Sequence, residues 1–499
     1  MILIKVDKEN KQPLFQQVFE QLKQMIETGD LLPGENLLST RRLAEMLGVH
    51  RTTVFRAYEE LWASGYLEAT SGAYSRVRQR NSLADQDKQP EMSLIGWSDC
   101  ISDAVNRIDQ VSPNSANLSE EIINFRPLSP DSDLLPVEDF RHCLNKVLQT
   151  NGADLLQYGN PLGYEPLRQY LAKQMRQHGI NTGVENIILT NGMQNGIEMV
   201  LRLLTNPGDC IITESPSYVS VISFVKYMNL KAIGIPMTNE GMDLDVLEQQ
   251  LKESRPRLIY SIPTFHNPTG ISSSQAHRER LLKLCETYSV PLVEDGFEEE
   301  MKYFGKAVLP IKSMDKQQVV IYLGTFSKVL FPGIRVGWIV APKDLIPSLG
   351  RIKQVSEICG SPLNQAAVYQ FCKQGFYELH KKRLHRVYRK RMQLTLQACR
   401  EFLPTDKIQF TKPDGGYLIW ITLLNSGLEE EKLIQQLLDD GVAVSPGSKF
   451  FPDIQNQVHF RLSIGHCNEE QIREGIQRLG LSLQKLKTNH DSTRPQKLS

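Results

Sequence analysis

From about residue 119 to residue 485, short apolar runs alternate with longer stretches of helical periodicity, and no other feature limits the fold as tightly. The runs Ile187 to Thr190, Cys210 to Thr213, Leu258 to Ile262, Pro291 to Val293, Val319 to Leu323 and Trp338 to Val340 read as buried strands. Stretches between them, such as Gln194 to Leu204 and Ser274 to Tyr288, are long enough for the crossovers that parallel neighbours require. A large α/β sheet unit is expected, followed from roughly residue 390 by a smaller α+β unit.

Residues 1–80 follow another pattern. Leu14, Val18, Leu22, Met25 and Ile26 recur at helical spacing and stop at Gly29. A second, short helix is predicted from an N-cap at Ser39 or Thr40 to Leu47, before Gly48. The third places Val54, Tyr58, Leu61 and Trp62 on one face and ends at Gly65. Two helices joined by so short a glycine turn suggest helix-turn-helix, and the alternation of Tyr66–Ala69 with Tyr74–Val77 adds a hairpin, or wing. Residues 81–118 turn polar and read as a linker, 119–487 as one α/β body and 488–499 as a polar tail.

Lys plus Arg and Asp plus Glu both total 57, so a nucleic-acid surface must be local rather than spread over the chain. The eight cysteines are scattered without Cys-x-x-Cys spacing, which points to no metal site and to a reducing compartment. Charge arrives at the fifth residue, and nowhere do 18 apolar residues run together. A soluble, cytoplasmic protein is expected.

If the third helix enters a major groove, its first turn offers His50, Arg51, Thr52 and Thr53 to base edges, with Arg56 one turn on. Ser39, Thr40 and Arg41 open the preceding helix, where hydroxyls, backbone N–H groups and guanidinium can hold phosphate. Arg76, Arg78 and Arg80 follow the hairpin tip. The stretch LLSTRRLAEMLGVHRTTVFRAYEELWASGYLEA resembles the DNA-binding domain of GntR-type bacterial regulators almost end to end, with His50 where that family commonly has serine.

A second constellation centres on Gly324-Thr325-Phe326-Ser327-Lys328, just after a predicted buried strand. A lysine in a dry site beside other cations becomes neutral enough to join an aldehyde cofactor. Thr325 and Ser327 supply hydroxyls, and Arg335 a fork suited to phosphate. Asp295 ends a strand, where a buried carboxylate needs a cationic partner such as a ring nitrogen. Asn267 can donate to a phenolic oxygen, Tyr218 can stack on a ring, and Gly192-Met193-Gln194 opens a helix whose N–H groups suit an anion. Arg461 interrupts an apolar strand and wants a carboxylate.

Together these segments resemble fold type I pyridoxal phosphate enzymes of the aminotransferase class over residues 120–485. The resemblance implies pyridoxal 5'-phosphate as cofactor, Lys328 as the aldimine lysine, Asp295 at the ring nitrogen and Asn267 at the phenolic oxygen. It further implies Thr325 and Arg335 as phosphate ligands, Arg461 as the grip on an effector or substrate carboxylate, and Tyr158 reaching the phosphate of a second subunit, hence a homodimer. Phe297 stands where the family usually has a tyrosine bonding the phenolic oxygen. A GntR-type reader joined to such a body resembles the MocR-type regulators. That resemblance implies a dimeric transcription factor that binds operator DNA and senses pyridoxal phosphate, or a small amine or amino acid, by aldimine exchange at Lys328. The competing expectation is a working aminotransferase with a fused DNA-binding module.

Overall fold

The structure is a computed structural model that describes residues 4–69, 75–79, 95–108, 118–306, 308–424 and 428–485. The expected hairpin tip, Arg80, most of the polar linker and the C-terminal tail lie outside the described residues. The chain divides into two compact units, Met1–Ile101 and Ser102–Ser499.

The first unit contains helices α1 (Leu14–Thr28), α2 (Thr40–Leu47) and α3 (Arg51–Ala63), then an antiparallel pair, β1 (Leu67–Ala69) and β2 (Ser75–Val77). Ser39 caps α2 by accepting from the Arg42 amide at 3.3 Å, and the His50 ring nitrogen caps α3 by accepting from the Thr52 amide at 3.4 Å. Gly29 and Gly48 take the left-handed conformation that ends α1 and α2. The third helix closes differently, because Ser64 stays right-handed and the chain reverses one residue later at Gly65, φ +72°. Val18, Leu22, Leu43, Val54, Leu61 and Val77 share one buried core. Each such side chain contributes roughly 1.5–3 kcal/mol on burial, enough to hold helices this short in place.

The second unit is built on an eight-stranded sheet. In chain order its strands are β3 (Ile187–Thr190), β4 (Cys210–Ser215), β5 (Lys231–Thr238), β6 (Gly241–Met242), β7 (Ile259–Ser261), β8 (Leu292–Asp295), β9 (Val320–Thr325) and β10 (Gly337–Val340). Across the sheet the order is β3-β10-β9-β8-β7-β4-β5-β6. The central strands β9, β8, β7, β4 and β5 are parallel, while β10 runs antiparallel to both its neighbours. Alternate residues pack on opposite faces: Ile211, Val293 and Ile321 into one core, Ile212, Leu292 and Val320 into another. Both faces are therefore covered, which explains why the strands read as unbroken apolar runs.

This topology brings the C-terminal ends of β3, β4, β7, β8 and β9 to one edge, where open α/β sheets bind ligands. The antiparallel β10 starts at that edge, with Gly337 paired to both Thr325 and Thr190. A smaller four-stranded sheet follows, containing β11 (Leu418–Leu423) paired to β12 (His459–Ser463), in which Trp420 and Arg461 are cross-strand neighbours. The strand Ile123–Asn124 pairs with Val442–Ala443, so this part also draws on residues from the start of the unit. Among the described residues, no helix is long and apolar enough to cross a membrane, and no His, Cys, Asp and Glu grouping is suited to a metal ion.

Candidate functional site

Within the first unit, the buried side of α3 is Val54, Ala57, Tyr58 and Leu61, which leaves Arg51, Thr52 and Arg56 exposed and Thr53 half-buried. His50 and Thr52 are tied together, with the ring nitrogen 2.7 Å from the Thr52 hydroxyl. Arg51 reaches back to the Thr40 hydroxyl at 3.5 Å, so the first turns of α2 and α3 lie side by side. Arg41 is exposed and paired with Glu45 at 3.3 Å. The Ser39 hydroxyl is engaged as a cap, and the Arg56 guanidinium stacks 3.9 Å from the Phe15 ring centre. Ser39, Arg41, His50, Arg51, Thr52 and Arg56 are thus exposed, each already holding a contact within this unit, while Thr40 and Thr53 are half-buried.

In the second unit a cavity opens at the C-terminal edge of the sheet, lined among others by Lys328, Asp295, Asn267, Thr325, Ser327 and Arg335. Met193, Gln194 and Tyr218 also line it. Residues separated by more than a hundred positions in sequence therefore converge on one cavity. Lys328 follows β9 and donates to the Leu128 carbonyl at 2.5 Å, with no carboxylate in ion-pair reach among the described residues. Burial lowers the pKa of its amine below the usual lysine value, which makes the neutral form accessible.

Asp295 ends β8. It accepts from the Tyr260 hydroxyl on the neighbouring strand and from the Phe297 amide at 3.1 Å, yet burial still lifts its carboxyl to about 7. Asn267 accepts from Arg461 Nη1 at 3.0 Å, and among the described residues its own Nδ2 donor is unused. Arg461 also donates to the Arg126 carbonyl at 2.9 Å and the Ser445 hydroxyl at 3.3 Å. Among the described residues its Nε has no partner, and burial pushes the guanidinium down to about 10. A buried arginine held by neutral acceptors alone is a ready site for an anion.

On the other side of the cavity, Arg335 donates to the Asn191 carbonyl at 2.6 Å, beside the start of helix α4 (Met193–Leu204). Gly192 is required there. It sits at φ +83° and ψ −179°, and a Cβ would lie 2.8 Å from Arg335 Nη2. Thr325 accepts from the Ser327 amide at 3.1 Å, which folds the two hydroxyls toward one another. Tyr158 is 81% exposed and takes no part in lining the cavity of its own chain.

Four contributors escaped the sequence reading. Leu128 and Ile262 line the cavity, Tyr260 holds Asp295, and Glu298 lies buried near Lys328. The first two carried no signal beyond ordinary apolar residues. Tyr260 could have been found only from strand pairing, which sets β7 beside β8. Glu298 opens a run of three glutamates that reads as a solvated face.

Comparison with known proteins agrees with this geometry. Residues 128–479 match the family model for aminotransferase class I and II, and residues 14–77 match that for bacterial regulatory proteins of the gntR family. Aromatic-amino-acid aminotransferase 1 of Thermococcus litoralis is 36% identical over 72% of this chain and 88% of its own length. The probable rhizopine catabolism regulatory protein MocR of Rhizobium meliloti is 29% identical and spans both units, covering 96% of this chain and 95% of its own. Among solved structures, the alpha-aminoadipate aminotransferase LysN of Thermus thermophilus, complexed with N-(5'-phosphopyridoxyl)-L-leucine, superposes with a TM-score of 0.73 at 32% identity. That match covers 79% of this chain and 99% of LysN. With a gntR-type domain ahead of an α/β body of fold type I, the chain belongs to the aminotransferase class I and II family in the two-part form of the MocR-type regulators.

Proposed function

We propose that the chain is a dimeric transcriptional regulator that binds operator DNA through α2 and α3 and holds pyridoxal 5'-phosphate at Lys328, where the cofactor or an amine ligand acts as the signal. The observation that carries this reading is the desolvated Lys328 amine, which has a carbonyl as its hydrogen-bond partner and no carboxylate in reach among the described residues. The cavity's residues fit the cofactor. Arg335, the Thr325 and Ser327 hydroxyls and the N–H groups opening α4 would hold the phosphate, and the Gly192 cradle leaves the close approach open. Asp295 would stand at the ring nitrogen, Asn267 Nδ2 at the phenolic oxygen and Tyr218 against the ring, while Tyr158 would serve the cavity of a second copy.

When bound, the cofactor supplies an electrophilic aldehyde carbon that takes amines reversibly and a ring that withdraws electrons. The chain's part is to bind and orient. Lys328 presents a neutral amine, Asp295 holds a compensating negative charge, and Arg461 receives the ligand's carboxylate. On the DNA side, Arg51, Thr52, Thr53 and His50 would meet base edges, with Ser39, Thr40, Arg41 and Arg56 nearer the phosphates. Phe297 lines the cavity with no hydroxyl to offer, which favours capture of an amine over rapid turnover.

A second reading, a catalytically competent aminotransferase, is supported by the complete lysine, aspartate, asparagine and arginine set around the cavity. Borohydride reduction of the loaded protein followed by peptide mass spectrometry is expected to find the cofactor on Lys328. A DNA-shift titration on the chain's own upstream region, with and without cofactor and a panel of amines, is expected to show ligand-dependent affinity. An unmodified Lys328 would remove the sensor. Ligand-independent shifts together with sustained amino transfer to a keto acid would establish the enzyme instead.

A further inference from the structure

The chain passes from the first unit to the second through residues 80–117, of which 95–108 are described, and residues 102–108 already belong to the second unit. After the short turn of helix Asp103–Asn106, the exposed Arg107 lays its guanidinium across two consecutive carbonyls of helix α5 (Val219–Tyr227). Its Nε donates to the Lys226 carbonyl at 3.0 Å and its Nη2 to the Tyr227 carbonyl at 3.1 Å. Both carbonyls lie in the last turn, where no amide within the helix can reach them and the helix dipole favours a cation. Among the described residues, these two are the hydrogen bonds that fasten residues 102–108 to the rest of the second unit.

The other end of α5 is in the cavity. Tyr218, its N-cap, is one of the lining residues. Ser217, just before it, donates its amide to the Phe450 carbonyl at 2.7 Å, and the Phe450 ring centre lies 5.0 Å from the Arg461 guanidinium carbon. The nine residues of α5 make a rod of about 13 Å, seated in buried core by Val221, Ile222 and Val225. A rod this short carries a displacement at one end to the other. The Arg107 bonds are on the surface, where water can replace either of them at small net cost. Bonded and released forms therefore lie close in free energy, and a ligand needs only a modest preference to shift their balance.

Resting on the regulatory reading proposed above, we infer that Arg107 is a positioning residue for the ligand cavity: it clasps α5 to the segment arriving from the DNA-binding unit, so a ligand that displaces Tyr218 shifts the balance between bonded and released Arg107. From Arg107 the route to the DNA-binding helices is the chain itself. By reciprocity, DNA that draws on this segment shifts Tyr218 and with it the hold on the ligand.

The full chain is tested in two ways. Hydrogen exchange, followed by peptide mass spectrometry, is first measured without ligand or DNA. Loss of a mere helix cap would speed exchange at residues 225–230 alone. In Arg107→Ala the amides of Ser217, Val221 and Ile222, at the cavity end, are expected to exchange faster as well, by about threefold or more. Arg107→Lys, whose single ammonium cannot span both carbonyls as a fork does, should recover part of that protection. Arg202→Ala, which removes an exposed arginine paired with Glu198 on α4, should leave it unchanged. Unaltered exchange at residues 217–222 in Arg107→Ala, or an equal change in Arg202→Ala, overturns the proposal. The second measurement is the DNA-shift titration with and without pyridoxal 5'-phosphate. Arg107→Ala is expected to keep the ligand-free DNA affinity within about twofold and to bring the ligand's effect on it toward a factor of one. A factor equal to the parent's overturns the proposal. A parent whose DNA affinity ignores the cofactor removes the regulatory reading instead, while the exchange measurement still decides whether Arg107 positions Tyr218.

Discussion

Asp295 shows how far surroundings decide the chemistry of one side chain. Its carboxyl sits at about 7 against an ordinary 3.8, because burial outweighs the hydrogen bonds donated by Tyr260 and Phe297. Between those two values the folded chain holds a proton that the unfolded chain has released, so this group makes folding less favourable as pH rises through the window. A cationic ring nitrogen opposite the carboxyl would invert the sign, since the charged form would then be favoured in the folded state. For the cofactor-free protein, Asp295→Asn is expected to be more stable than the parent by roughly 2–4 kcal/mol near pH 7.5, with the difference closing toward about pH 4. Thermal unfolding at several pH values measures this. A difference independent of pH would mean that the folded carboxyl ionises normally. With cofactor added, the same substitution is expected to reverse the ranking, because the parent alone gains the ion pair.

At the scale of elements, the join between β3 and α4 carries much of the site. The strand delivers Asn191, whose carbonyl receives Arg335, and Gly192 then turns through a region of backbone space that side chains rarely enter. Gly192→Ala is expected to cost about 1–3 kcal/mol from backbone strain alone. Because the added methyl displaces the Arg335 guanidinium, affinity for inorganic phosphate and for the cofactor should fall by about tenfold or more, roughly the loss of one charge-assisted contact. Thermal unfolding and cofactor fluorescence would separate the two effects; weakened stability with unchanged phosphate affinity would take Arg335 out of the anion site. The sequence made much of this region readable. The strands that meet the site are covered on both faces and appear as apolar runs, so their ends, and with them Lys328, Asp295 and Asn267, could be located. Strand β5 escaped because it is mostly half-exposed and mixes Lys231, Gly234 and Pro236 into its apolar residues. Tyr260 escaped for another reason, since it acts on a residue brought near only by folding.

For the whole molecule, the proposed function requires a coupling free energy between the cavity and the DNA-binding helices, and such coupling is reciprocal. If a ligand in the cavity changes DNA affinity by some factor, DNA must change the ligand's affinity by that same factor. Typical couplings lie at roughly 5–150-fold, large enough to measure from either side. The expectation is that cofactor or amine affinity, followed by fluorescence, shifts on adding the upstream DNA by the factor found when the DNA-shift titration is repeated with ligand. Salt must be held constant throughout, because contacts by groups such as Arg41 and Arg51 would make DNA affinity fall steeply with ionic strength. Arg41→Ala supplies the control. Losing one phosphate-neutralising cation should reduce the slope of log affinity against log salt by about one. It should weaken DNA binding with or without ligand and leave the coupling factor unchanged. Were the two measured factors unequal, the ligand would be acting on something other than a single two-state protein, such as self-association of the chain. Were both equal to one, the cavity would have no influence on DNA, and the enzymatic reading would stand in place of the regulatory one.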